Sequence, residues 1–192
     1  MRDTGIGRVL VASLHQGIAD ILPTRLGFYE SWLDAEGLRD GTIGLAPLYA
    51  VLSFLRQEGE PYTTITTSAG DYAAEWTVQS MGSFERSLIR SAPNWLRGRL
   101  VLRLSGRLVN ASYRRAKLVF RLRKNVATIE LRGSVFCDVR EPVNNALCGF
   151  YMAAFSRLFA LFNVPAKIEI TSCRAARGQR CTMTVAITPT EG

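Results

Sequence analysis

The sequence lacks most of the residues and motifs on which enzyme active sites are built. It contains a single histidine, His15, in 192 residues. We find no serine nucleophile elbow, Walker loop, H-E-x-x-H or G-x-G-x-x-G motif in it. The carboxylates occur singly, and Asp138 with Glu141 is as typical of loop solvation as of acid–base chemistry. The pattern argues against a protein with its own catalytic apparatus, although a hidden active site stays open.

Long uninterrupted apolar segments are also missing. The apolar N-terminal stretch is broken by His15 and Asp20, and neither a basic leader segment nor a cleavage site accompanies it. The apolar segment 147–162 is short and contains Arg157, so it is not expected to span a membrane. We therefore expect a cytoplasmic protein in which the four cysteines are reduced.

What the chain has in quantity is apolar residues and positive charge. The hydrophobic fraction is 47% and the net charge is +8. The arginines are spread along the chain without a nucleic-acid motif, so we expect a solvated basic surface and no nucleic-acid partner. A membrane surface stays open as a partner. The length suits a single domain over residues 25–190, preceded by an N-terminal helical arm over residues 1–24.

The hydrophobic periodicity predicts helices, a hairpin, a further helix and a second strand pair. This order predicts an α+β fold, an antiparallel sheet of hairpins with helices packed on one face. Pro142 and Asn144-Asn145 are expected to open the last helix. Residues 63–67 suit a short strand or a loop, and the glycines from Gly37 to Gly44 suit a loop. The predicted helices are 6–22, 28–36, 47–57, 70–80, 95–113 and 146–162, and the predicted strands are 117–123, 126–132, 167–173 and 180–187.

The four cysteines form the most informative pattern. Cys148 falls at the start of the last predicted helix, and Cys173 and Cys181 fall at facing ends of the second strand pair. A strand pair brings two such positions together, so the thiols can converge on one point and bind zinc. The spacing is not that of a zinc finger. The alternative is that these cysteines are small buried core residues.

The region that contains the cysteines resembles a known family. The stretches GSVFCDVREPVNNALCGFYMAAFSRLF and KIEITSCRAARGQRCTMTV resemble the C-terminal half of 4-vinyl-reductase-like domains, which are similar in fold to TRAPP-type vesicle-tethering subunits. The resemblance covers residues 95–190. It implies a structural zinc site on Cys148, Cys173 and Cys181. Ile170 stands where that family has a glutamate ligand, so Cys137 is the expected fourth ligand.

The resemblance also implies a hydrophobic pocket between the helices and the sheet. The expected function is non-catalytic binding of a small hydrophobic ligand, as carrier or sensor. A tetrapyrrole intermediate of bacteriochlorophyll biosynthesis is the specific candidate, with Arg99 or Arg103 pairing with a propionate. No histidine follows residue 15, which argues against the phenols that some relatives sense. The expected pocket residues are Trp95, Leu104, Ile129, Tyr151, Phe155 and Ile168.

Two other functions remain open at this stage. One is a structural adaptor of the vesicle-tethering type, which acts through dimerisation or a basic membrane-facing surface. The other is a vinyl reductase, which the absence of a nucleotide-binding signature disfavours. We also expect a homodimer. The stripe of Leu10, Leu14 and Ile18 either forms the dimer contact or packs on its own domain.

Overall fold

A computed structural model describes residues 6–33 and 44–188. Within these residues the order is helices, a β-hairpin, a helix and a second strand pair. None of the described helices has the length and apolarity that crossing a bilayer requires. The helices are α1 (Arg8–Ile21), α2 (Leu26–Glu30), α3 (Leu45–Gln57), α4 (Glu60–Ser80), α5 (Ser83–Ser91), α6 (Asn94–Ser112) and α7 (Gly149–Leu161), and the strands are β1 (Lys117–Arg123), β2 (Val126–Arg132), β3 (Ala166–Ser172) and β4 (Cys181–Ile187).

The four strands form one antiparallel sheet in the order β1-β2-β4-β3. Each strand alternates in exposure along its length, so one face of the sheet is covered and the other is open. Ile129 pairs with Phe120 on one side and with Met183 on the other, at the centre of the covered face. Helices α6 and α7 pack against the sheet. The α+β prediction is therefore confirmed at the level of fold class.

Helices α4 and α7 form the central pair of the helical layer. A Cβ atom on Gly70 of α4 would meet the Phe150 carbonyl oxygen of α7, so the two backbones nearly touch there. Helix α1 lies against the other side of α4. Its Leu10, Leu14 and Ile18 are fully buried within the chain. The N-terminal stripe therefore packs on its own domain, which was one of the two alternatives.

The predicted strands and the helices near 47–57 and 95–113 are confirmed. The strand-or-loop prediction for residues 63–67 is wrong, because this segment lies inside α4. The prediction rested on the β-branched threonines of this segment. The Thr66 hydroxyl donates to the Tyr62 carbonyl 2.9 Å away, so this hydroxyl has a hydrogen-bond partner inside the helix.

Two helix boundaries also differ from the prediction. Helix α7 begins at Gly149, not after Pro142, because residues before it form a loop whose Val143 N–H donates to the Ala175 carbonyl. Helix α2 ends at Glu30. The rest of the predicted 28–36 helix beyond residue 33, and the glycine loop before Gly44, lie outside the described residues.

Candidate metal centre and ligand cleft

Four segments that are distant in sequence bring the four cysteines to one point. Cys137 closes a short 3-10 turn after β2, and Cys148 is the residue that precedes the first turn of α7. Cys173 follows β3 and Cys181 begins β4. All four are buried. The cluster therefore joins the helical layer to both halves of the sheet.

The sulfur atoms are close enough to share one ion. Cys137 Sγ lies 3.2 Å from Cys148 Sγ and 3.5 Å from Cys173 Sγ. All four Sγ atoms lie within 4.8 Å of one another. A tetrahedral ion bonded to four thiolates at about 2.3 Å holds the sulfurs roughly 3.8 Å apart. The three pairs among Cys137, Cys148 and Cys173 are 3.2–3.5 Å apart, so they need to separate by only about 0.3–0.6 Å to hold such an ion.

Backbone groups support negative charge on two of the sulfurs. The Leu147 N–H donates to Cys173 Sγ and the Arg174 N–H donates to Cys181 Sγ, each at 3.4 Å. Hydrogen bonds from Cys137 and Cys148 lower the pKa of Cys173, and similar bonds lower the pKa of Cys181 to about 7. Hydrogen bonding to Cys137 and Cys173 raises the pKa of Cys148. Four thiolates therefore need a cation to coexist here.

Aromatic side chains lie near the cluster, and a small pocket of about 160 Å³ lined by charged residues reaches Cys137 and Cys181. Phe136 and Phe150 stack with ring centroids 4.8 Å apart. Phe136 directly precedes Cys137, and Phe150 is two residues after Cys148. The hydroxyls of Tyr62 and Tyr151 are buried and have no hydrogen-bond partner among the described residues. Burial raises the pKa of both phenols. Four buried cysteine ligands would fill a tetrahedral site and leave no open position for water, which suits a structural role.

The six residues predicted to line a pocket fall into different environments. Trp95 is 74% exposed at the start of α6. Leu104, Ile129, Tyr151 and Phe155 are buried in the packed core. Ile168 is half-buried on β3. None of the six lines the cleft described next, so their contact with a ligand stays a prediction.

A cleft of about 760 Å³ lies between α3 and the loop 138–143. The Tyr49 hydroxyl donates to Asp138 Oδ2 at 2.8 Å, and the Arg174 guanidinium donates to Asp138 Oδ1 at 2.9 Å. Burial and the bond to Asp138 raise the pKa of Tyr49 to about 12. Asp138 and Arg174 each follow a cysteine of the cluster, so the cluster holds one wall of the cleft. The lining residues are Ala46, Tyr49, Ala50, Ser53, Arg56, Asp138, Val139, Arg140, Glu141 and Val143.

Sequence reasoning did not identify this cleft. The predicted helix 47–57 is α3, and its Leu48, Val51, Leu52 and Leu55 are fully buried. The cleft uses the adjoining face, where Tyr49, Ser53 and Arg56 recur at helical spacing. That spacing was the available signal. Which loop lies opposite this face could not be read from the chain.

The chain has the fold of solved H-NOX proteins. The Fe(II) unliganded H-NOX protein from K. algicida matches with a TM-score of 0.60 at 11% identity, over 97% of this chain and 99% of that one. An H-NOX protein from S. oneidensis in the Fe(II)NO state gives 0.55 at 10% identity, over 96% and 100%. The H-NOX domain from Shewanella oneidensis in the Fe(II)CO state gives 0.59 at 10% identity, over 96% and 99%. At these identities the likeness establishes the fold alone.

Sequence comparison adds nothing to this: no family model matches the chain and no curated protein matches it. The resemblance to 4-vinyl-reductase-like domains and TRAPP-type subunits is contradicted by the H-NOX fold. It rested on one helix start and one strand pair carrying cysteines, and such a local pattern can occur in more than one fold. The bacteriochlorophyll and vesicle-tethering functions that depended on it have no support.

The prediction of zinc as the cofactor is contradicted as well. The solved structures with this fold are described as Fe(II) proteins, and H-NOX stands for haem-nitric oxide/oxygen binding. Haem iron is held by a histidine, cysteine, methionine or tyrosine side chain.

Residues of this chain do not fit an iron group in the cleft. Its lining includes no histidine, cysteine or methionine in the described residues. Tyr49 is its one phenol there, and a pKa of about 12 keeps it protonated. The only histidine, His15, lies on α1 with Nε2 2.9 Å from Glu30 Oε1.

Proposed function

We propose that this protein is a non-catalytic binding module for a small molecule, and that the ligand occupies the cleft between α3 and the loop 138–143. The fold supports it, since small ligands are named with the solved structures that share it. The cleft supports it by size, because ligand sites usually measure roughly 300–1,000 Å³. The described residues also present no catalytic constellation in the cleft.

The charges of the cleft favour an organic anion. Arg174 neutralises the charge of Asp138. The other charged residues of the lining are Arg56, Arg140 and Glu141, so two positive charges stand beside one negative charge. Neither arginine has an ion pair among the described residues. Arginine binds carboxylate and phosphate groups through paired donors.

The rest of the lining is small or apolar. Ala46 and Ala50 of α3 face Val139 and Val143 of the loop. Because these side chains are small, the cleft suits a ligand whose apolar part is flat or narrow. The proposed ligand is therefore amphipathic, with an apolar body and at least one acidic group.

We further propose that no side chain of the cleft coordinates iron when the ligand is bound. This follows from the lining residues, which offer arginines and a protonated phenol in place of an imidazole. Binding then depends on apolar contact and on Arg56 and Arg140.

The cysteine cluster remains a proposed metal site with a structural role. Cys137, Cys148, Cys173 and Cys181 offer four buried sulfurs, which suit a thiophilic ion. The ion would fix Asp138 and Arg174 through their neighbours Cys137 and Cys173. Elemental analysis of the native protein decides whether an ion is present and which one it is.

One experiment tests the binding function directly. Purified full-length protein is titrated with protoporphyrin IX, a flat apolar molecule with two carboxylates, and binding is followed by fluorescence. We expect saturable binding that weakens about tenfold in Arg56→Gln and in Arg140→Gln, as the loss of a charge-assisted pair predicts. Arg121→Gln, on exposed β1, is the matched control and should bind as the wild type does.

Two results would contradict the proposal. The first is the absence of saturable binding to the wild type, with native mass spectrometry showing no copurified small molecule. The second is equal loss of affinity in Arg121→Gln, because a general charge effect would then explain binding. Circular dichroism of each variant separates loss of the site from loss of the fold.

A further inference from the structure

Helices α5 and α6 form a helical hairpin at one edge of the molecule. The chain turns at Ala92 and Pro93, which lie between the two helices. Glu85 near the start of α5 pairs with Arg107 in the second half of α6. The Arg97 guanidinium donates to the Ala92 carbonyl at 2.9 Å and fixes the turn. The helices therefore run antiparallel.

The outer side of this hairpin carries the most exposed large apolar side chains of the described residues. Phe84 is 80% exposed, Leu88 is 55% exposed and Trp95 is 74% exposed. Phe84 and Leu88 are four residues apart, so they lie on one side of α5, while Ile89 is buried. Three exposed side chains of this size on one short segment need an explanation.

Two arginines lie on the same side. Trp95, Arg99 and Arg103 follow one another at four-residue spacing along α6. The two right-handed helices run antiparallel, α5 pairs with α6 through Glu85, and Ile89 next to Leu88 is buried. The Phe84 and Leu88 side of α5 then faces outward with this line. We call the surface formed by Phe84, Leu88, Trp95, Arg99 and Arg103 the hairpin face.

The hairpin face carries uncompensated positive charge. Arg99 and Arg103 are exposed and form no ion pair with any described residue. The nearby carboxylate, Glu85, is already paired with Arg107. The chain as a whole has a net charge of +8. An anionic partner is therefore favoured at this face.

We propose that the hairpin face docks on the surface of an anionic lipid bilayer. Tryptophan, phenylalanine and leucine insert at the boundary between headgroups and acyl chains, and neighbouring arginines bind lipid phosphates and carboxylates. The apolar side chains protrude singly, which suits insertion among lipids better than closure over a folded groove. Binding is peripheral, since no described helix can cross a bilayer.

Vesicle flotation with the full-length protein tests this docking. The vesicles are phosphatidylcholine alone, or phosphatidylcholine with about one third phosphatidylserine, at low and at physiological salt. We expect binding to the anionic vesicles only, and weaker binding as salt screens the arginines. Phe84→Ser with Trp95→Ser should lower the partition coefficient by at least about tenfold for each aromatic removed.

The arginines are tested by a matched pair of charge reversals. Arg99→Glu with Arg103→Glu should lower binding by about fivefold or more for each residue. Arg121→Glu with Arg123→Glu makes the same charge change on exposed β1 and should lower it much less. Val119→Ser, at a half-exposed apolar position of β1, is the control for the aromatic changes.

Three outcomes would overturn the inference. One is no flotation of the wild type with anionic vesicles at low salt. Another is an equal loss of binding in the β1 variants, which would indicate net charge alone. The third is loss of self-association in the Phe84→Ser, Trp95→Ser variant by light scattering without lipid, which would assign the hairpin face to a second copy of the chain.

Discussion

A Cβ atom on Gly70 would lie 2.3 Å from the carbonyl oxygen of Phe150. Real Cβ atoms do not approach a backbone oxygen so closely, so α4 and α7 can pack at this distance only because residue 70 has no side chain. Phe150 is two residues after Cys148, the residue that precedes the first turn of α7. The contact at Gly70 therefore sets the position of the helix end that presents a sulfur to the cluster.

Gly70→Ala should destabilise the protein by about 2–3 kcal/mol, because neither backbone can move aside without repacking the core. The free energy of unfolding in urea measures the change. Gly106→Ala in α6 is the control, since a Cβ there meets no atom within 4 Å. It should stabilise by about 0.5–1 kcal/mol, the usual gain from glycine to alanine inside a helix. Equal effects of the two changes would rule out a close contact at Gly70.

The proposed metal site predicts that Cys148→Ala abolishes ion binding and lowers the free energy of unfolding by more than about 4 kcal/mol. The reason is that a buried site loses one of four ligands and the remaining thiolates lose their cation. Elemental analysis and urea unfolding measure the two effects. A chelator present during unfolding should lower wild-type stability towards that of the variant and leave the variant unchanged. If the cysteines are only core residues, the native protein will contain no metal and the chelator will have no effect.

Protoporphyrin IX and its iron complex should bind the wild type with similar affinity, because the cleft supplies no ligand to the iron. His15→Ala should leave both affinities and the absorption spectrum of the iron complex unchanged. His15 lies on α1 and pairs with Glu30, away from the cleft residues. A large preference for the iron complex that disappears in His15→Ala would contradict this prediction and restore an iron-bound ligand.

Tyr49 should contribute to stability in a pH-dependent way. Its pKa is about 12 in the folded protein against an ordinary value of 10.0. A raised pKa means that the contribution is fully present below pH 10 and is lost as the pH rises towards 12. The difference in unfolding free energy between wild type and Tyr49→Phe should therefore shrink over this range. A difference that stays constant across it would show that burial and the bond to Asp138 do not raise the pKa of Tyr49.

Local patterns predicted much of the secondary structure. Hydrophobic periodicity predicted both strand pairs and the helix 47–57, which is α3. The threonines of residues 63–67 gave the wrong result because hydroxyls that bond their own helix are invisible in a propensity argument. Each of these predictions, whether right or wrong, rested on residues within about one helical turn of one another.

The sequence by itself determined which side chains could form a site, and the tertiary structure decided which of them meet. The spacing of Cys148, Cys173 and Cys181 suggested convergence, but only the packing of α7 on α4 and the order β1-β2-β4-β3 bring Cys137 to the same point. The cleft between α3 and the loop 138–143 could not be predicted from the sequence, because its two walls are more than eighty residues apart along the chain. Periodicity reports contacts along one element, whereas such a cleft depends on the long-range packing that sets one element opposite another.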